Sequence, residues 1–198
     1  MDKYFVFDMN SVLKRRMDYE RLVFLLKDGL SMSDFLEIYY DRIQTVETGK
    51  ITDDEFYSYI IDRLDLNYTV DEIKAIFKRC FNTIYEESLN VILKLKEKGY
   101  KVCLFSSLKK TDYEWFKEMF DVSLFDKLYL SYEIGYDKSD VASFEYLVED
   151  LRVKPSNIYF FDDRLTNVEN ARSVGINGYQ VTGETIEDVF IMYNLYNV

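Results

Sequence analysis

The sequence predicts an α/β fold: a doubly wound, mostly parallel sheet with a small helical block inserted after its first strand. Two observations carry this. From about residue 86 onward, short apolar strand-like segments alternate with amphipathic helical ones, whereas residues 14–85 carry helical signals only. Alternating β and α units place parallel strands between two helical layers. A single Pro and seven Gly in 198 residues leave no room for a long linker or low-complexity segment.

Taken in order, residues 3–8 read as a strand that ends on an Asp. In the helical block, Thr52-Asp53-Asp54-Glu55 and Thr69-Val70-Asp71-Glu72 read as capping boxes. Phe56, Ile60 and Leu64 follow the first; Ile73, Ile76, Phe77 and Cys80 follow the second, each set spaced as one buried helix face. Leu89, Ile92 and Leu93 mark a helix that Gly99 terminates. Residues 101–105 form a buried strand, and Thr111 opens the next helix. A short strand spans 128–130. Val141, Phe144, Val148 and Leu151 share a helical face. Pro155 and Ser156 turn the chain into a strand at 158–161, and Thr166 caps a further helix that stops before Gly175. A strand near 179–181 and a C-terminal helix follow.

Composition narrows the function. The hydrophobic content of 48% supplies a packed core, while the formal charge of −11 argues against nucleic acid and anionic membranes as partners. An anionic substrate then needs local compensation from a metal, a Lys or a helix N-terminus. No basic segment precedes a long apolar run, so the sequence predicts no signal peptide, no membrane span and a cytoplasmic protein. Cys80 and Cys103 read as reduced packing residues. With no His, chemistry must rest on carboxylates, hydroxyls and amines.

In an open α/β sheet, ligands bind beyond the carboxyl ends of the strands. Four polar groups fall there: Asp8; Ser106 and Ser107; Lys138 after the third strand; and Asp162-Asp163 with Asn167. Singly, these read as turn residues, caps or surface charge. Together they form a sufficient set for phosphoryl transfer. A carboxylate can attack phosphorus, an acidic pair can hold a hard cation, and a hydroxyl and an ammonium can meet the phosphoryl oxygens.

These four segments resemble the four motifs of the haloacid dehalogenase-like hydrolases, and the resemblance spans essentially the whole chain. It is nearest the branch with a small helical cap that includes the bacterial α-D-glucose-1-phosphate phosphatase, through Glu47-Thr48-Gly49-Lys50-Ile51-Thr52, the segment from Leu128 to Gly135, and Phe160-Phe161-Asp162-Asp163 with Asn167. The resemblance implies a Rossmann-like core (1–13 and 86–198) and a helical cap (14–85). It implies Mg²⁺-dependent hydrolysis of a small phosphorylated metabolite, such as a sugar phosphate, through an aspartyl-phosphate on Asp8. Asp8, the backbone carbonyl of Asn10, Asp162 and Asp163 would hold the metal. Ser106 would bind the phosphoryl group, Ser107 would sit at the mouth, and Lys138 would orient nucleophile and phosphate.

Three residues depart from the pattern. Asn10 stands where an acid–base Asp is usual, Ser11 where a Gly is usual, and Ser139 where a Pro follows the Lys. A catalytically impaired protein that keeps its ligand site is therefore one alternative, since a lost acid–base group costs about 10²–10⁴-fold. A metal-free carbon–halogen hydrolase is another, opposed by the acidic pair. Clustered aromatics at Tyr19, Phe24, Phe35, Tyr39 and Tyr40 allow a partner surface but fit a cap core or pocket better. Substrate choice is expected from cap and lip residues such as Lys14, Arg15, Arg16, Tyr40 and Arg42.

Overall fold

The computed structural model describes residues 3–183 and 185–198. Residues 1, 2 and 184, which fall in the expected core ranges, lie outside it. Five parallel strands form one sheet in the order β3-β2-β1-β4-β5: β1 (Tyr4–Phe7), β2 (Lys101–Ser106), β3 (Lys127–Leu130), β4 (Ile158–Asp162) and β5 (Asn177–Gln180). The α/β fold class expected from the sequence is the one observed.

Alternation along the strands builds two apolar layers. Phe5, Phe7, Val102 and Leu104 face one side, where α5 (Glu86–Glu97), α6 (Lys110–Met119) and α10 (Ile186–Met192) cover them. Val6, Cys103, Phe105 and Phe160 face the other, under α8 (Val141–Leu151) and α9 (Leu165–Ser173). Burying each of these aromatic side chains contributes on the order of 1.5–3 kcal/mol. The central strands are buried on both faces, as parallel sheets require. Cys80 and Cys103 are buried free thiols.

Between β1 and β2 lies the helical insert: α1 (Tyr19–Leu26), α2 (Met32–Glu47), α3 (Asp53–Leu64) and α4 (Val70–Arg79), packed around their own cluster of Phe35, Tyr39, Phe56, Tyr57, Ile60 and Phe77. Both expected capping boxes are formed, on Thr52 with Glu55 and on Thr69 with Glu72. The insert touches the core at two marked places. Asp53 accepts from Thr111 N at 2.7 Å and from its hydroxyl at 2.5 Å. Gly49, just past α2 with φ +70°, lies so close to α7 (Ser131–Ile134) that a Cβ there would sit 2.5 Å from the Tyr132 carbonyl oxygen. Among the described residues, no helix is long and apolar enough to cross a membrane.

Two helix starts differ from expectation. Thr111 does not open α6, because Lys109 is its N-cap and Thr111 is turned to Asp53. Thr166 does not cap α9. Arg164 holds the N-cap position, and its backbone N–H is taken by Asp162 Oδ1 at 2.8 Å. The last strand starts at Asn177, earlier than expected, because Gly178 lets it pass close under α9: a Cβ there would lie 2.9 Å from the Val168 carbonyl oxygen.

Candidate active site

Parallel topology brings the ends of β1, β2 and β4 to one edge, and the polar residues there converge. The Asp8 N–H continues the ladder to the Phe161 carbonyl at 2.9 Å, which fixes the backbone that carries its carboxylate. Lys138 reaches in from the loop after α7 and is 2% exposed, so it is no surface charge. Its Nζ lies 2.5 Å from Asp8 Oδ1 and 2.5 Å from Asp162 Oδ2. Asn167 Nδ2 donates to both Asp162 oxygens, at 3.0 and 3.1 Å. Carboxylate oxygens of Asp8, Asp162 and Asp163 all lie within 4.8 Å of one another.

Such a cluster is electrostatically tense. Burial, with Asp162 and Asp163 nearby, pushes Asp8 up to about 6, although Lys138 pulls it down. Burial acts to lower Lys138, but Asp162 and Asp8 outweigh it and hold the ammonium above its ordinary value. Three convergent hard oxygen donors with one amine between them suit a divalent oxygen-seeking cation. The donor set fits that group.

The two serines split in position. Ser106 is fully buried and its Oγ donates to Asp8 Oδ1 at 3.2 Å. Ser107 lines the cavity instead, and its Oγ accepts from the Lys138 backbone N–H at 3.1 Å. The Lys138 loop is braced by Asn170, which carries no signal in the sequence, and by Ser139. Asn170 Nδ2 donates to the carbonyls of Lys138 and Ser139 at 3.2 and 2.9 Å. Ser139 also uses its N–H, which a Pro would lack, to reach Asp137 Oδ1 at 2.8 Å.

Ser11 adopts φ +63°, the left-handed region that explains why a Gly suits this position; a non-Gly residue there costs about 1–2 kcal/mol. Asn10 is tied to Lys14, whose Nζ donates to Asn10 Oδ1 at 2.9 Å and to the Arg15 carbonyl at 2.7 Å. The same ammonium stands 4.0 Å over the Phe81 ring. Burial lowers Lys14 to about 8. Arg16 pairs with Asp163 at 3.0 Å.

A cavity of about 390 Å³ lies between the sheet edge and the insert, lined on the core side by Asp8, Asn10, Ser107, Lys138 and Asp163. The insert side brings Tyr39, Tyr40, Gln44 and Glu47. Of the expected lip residues, Lys14, Arg16 and Tyr40 line this cavity, whereas Arg42 is drawn to Asp41 at 3.3 Å. Sequence reading gave Glu47 no role, and it is notable here. Burial, reinforced by Asp112 and Asp137 and opposed by Lys109 and Lys138, pushes it from 4.5 up to about 8. Between those values the folded chain holds a proton the unfolded chain has lost, so stability falls as pH rises. Asp8 releases its excess proton near 6, and Lys14 acts only above about 8. The chain has no His to titrate in between. Melting temperature is therefore expected to drop from pH 6.5 to 8 in the wild type and to flatten in Glu47→Gln. A slope unchanged by that substitution would refute a protonated Glu47 in the fold.

A sheet of this order gathers an acidic cluster and a Lys at its carboxyl edge, the arrangement of a phosphate- and metal-binding α/β core. The haloacid dehalogenase-like hydrolase family model matches residues 3–175, and the chain belongs to that family. It is 31% identical over 193 residues to the D-ribitol-5-phosphate phosphatase of Bacteroides thetaiotaomicron, covering 91% of this chain and 92% of that protein. It is 27% identical over 139 residues to a sesquiterpene phosphatase of Aspergillus oryzae, covering 69% of this chain and 70% of that one. A crystal structure of a family enzyme from Bacteroides thetaiotaomicron, in complex with magnesium and inorganic phosphate, matches with a TM-score of 0.78 at 27% identity. It covers 96% of this chain and 100% of that one.

Proposed function

We propose that this chain is a Mg²⁺-dependent phosphatase acting on a small sugar or polyol phosphate. The observation that carries the reading is Asp8 held against Lys138 and Asp162 at the floor of a cavity large enough for such an ester. The ribitol-phosphate phosphatase relative and the magnesium–phosphate complex support it. The resemblance to the α-D-glucose-1-phosphate phosphatase branch keeps that ester in the panel below. We read residues 14–85 as the cap and residues 1–13 with 86–198 as the core. A cytoplasmic setting agrees with two unbridged, buried thiols.

In this reading, the Asp8 carboxylate attacks phosphorus and the bond to the ester oxygen breaks, the leaving alcohol taking its proton from solvent water. Water then cleaves the aspartyl-phosphate, which releases inorganic phosphate and restores the carboxylate. Lys138 keeps Asp8 in place and sets positive charge beside the phosphoryl group as negative charge develops. Ser107 offers its hydroxyl at the cavity wall, while Ser106 steadies Asp8 from behind. Asp8, Asp162 and Asp163, with the Asn10 carbonyl, would hold Mg²⁺, which neutralises phosphoryl oxygens when bound. Because Lys14 donates to Asn10 Oδ1, the Asn10 NH₂ is left to the substrate: a donor for the ester oxygen, with no proton to shuttle.

The test is phosphate release from sugar phosphates, polyol phosphates and a chromogenic ester, with Mg²⁺ and with chelator. Turnover is expected only with the metal. Failure of wild type on every ester, with recovery in Asn10→Asp, would favour the second reading: a scaffold impaired by loss of its acid–base residue, for which Asn10 itself is the observation. Turnover of a halogenated acid without metal would favour carbon–halogen cleavage.

A further inference from the structure

We propose that Arg16 is an exchangeable cation: Asp163 holds it until a divalent metal takes that carboxylate, and the freed guanidinium then binds the phosphoryl oxygens of the substrate. The proposal rests on the phosphatase reading for its metal and its phosphate, and it assigns a residue to which that reading gives no role.

Each carboxylate of the cluster has a cation of the protein against it. Lys138 serves Asp8 and Asp162, and Arg16 Nη2 stands 3.0 Å from Asp163 Oδ2. The two cations differ in freedom. The Lys138 side chain is 3% exposed and clamped by both aspartates, whereas that of Arg16 is 62% exposed. The backbone at Arg16 is fixed: its carbonyl accepts from Asn82 Nδ2 at 2.6 Å, and the preceding Arg15 N–H donates to the Thr83 carbonyl at 3.0 Å. Movement is left to the side chain, which lines the cavity beside Asp8 and Asp163. An ion pair this exposed contributes little, so leaving it costs little.

Charge at the sheet edge calls for such a cation. The carboxylates of Asp8, Asp162 and Asp163 with a doubly charged phosphate outweigh Lys138 and Mg²⁺ together. Lys14 is committed elsewhere, to Asn10 Oδ1 and the Arg15 carbonyl. A guanidinium released by Asp163 stands one carboxylate away from Asp8, and its fork of N–H donors suits phosphoryl oxygens. A hard divalent cation competes well for a carboxylate oxygen. Metal and arginine are thereby linked, because the ion that takes Asp163 frees the donor that meets the next anion to enter. A share of the cooperativity between metal and phosphate then belongs to Arg16.

The experiment is calorimetric titration of the full-length chain as wild type, Arg16→Met and Arg164→Met, with melting curves verifying that each is folded. Arg164 lines the same cavity, so its removal measures what the loss of any nearby positive charge does. Mg²⁺ alone is titrated first, then inorganic phosphate in saturating Mg²⁺. Arg16→Met is expected to bind Mg²⁺ about threefold or more tighter than wild type, and tighter than Arg164→Met does. It is expected to bind phosphate about tenfold or more weaker than wild type. The opposite signs are the signature, since an ion pair that merely braced the linker would not produce them. Mg²⁺ binding that is unchanged or weakened in Arg16→Met, or equalled in Arg164→Met, overturns the exchange, and so does phosphate binding that stays at the wild-type level. Phosphate release from esters by wild type separates the two readings. Opposite signs without release sink the catalytic reading alone, and release without opposite signs sinks the exchange alone.

Discussion

Asp8→Asn is expected to abolish phosphate release, by about 10⁴-fold or more, while the melting temperature stays within a few degrees of wild type. The carboxylate is the proposed attacking atom pair, and an amide is a poor nucleophile. The fold has little to lose, however. Asn at this position keeps an oxygen for Lys138 and Ser106 to donate to, and it removes a charge from beside Asp162 and Asp163. Initial-rate assays in saturating Mg²⁺, paired with thermal melts, read both effects. Residual turnover within tenfold of wild type would remove Asp8 from the role.

Lys138→Met is expected to do the opposite to stability. It leaves Asp8 and Asp162 facing each other in a buried site without their counter-charge, and breaking such an arrangement costs about 3–5 kcal/mol. Urea denaturation measures the loss. Activity is expected to fall by about 10²–10³-fold at least. Because a divalent cation that binds only the folded chain stabilises it by mass action, Mg²⁺ should raise the stability of Lys138→Met more than that of wild type. A variant as stable as wild type without metal would mean that the ammonium is not what compensates the carboxylates.

Much of this architecture was legible because it follows local rules. Phe5 and Phe7 alternate with Val6, the capping boxes at Thr52 and Thr69 are self-contained, and the strand-end polar residues follow from parallel topology. What escaped depends on tertiary neighbours. Helix α7 has four residues, too few for a period to show. Thr166 has the chemistry of a cap, but the helix starts before it, at Leu165, where Asp162 from the preceding strand holds the Arg164 N–H. Lys138 taken alone reads as one more surface charge, and only its occurrence beside the other strand-end groups marks it; that its ammonium sits between two aspartates is set by the fold. Lys109 and Asp112 look like an ordinary exposed i, i+3 pair, and only the insert closing over α6 buries them. Asn170 carries no signal in the sequence, since its partners are carbonyls far away along the chain.

Gly49 places a boundary on how substrate preference can drift in this fold. With backbone against backbone at that point, no side chain of any size is admissible there, whatever substrate is selected for. Positions 40, 43, 44 and 47, on the preceding helix, line the cavity and carry no such restriction. A combinatorial library aimed at new esters should randomise those four and hold 49 invariant. Natural relatives that differ in substrate should show the same split, variable along the helix and silent at its end.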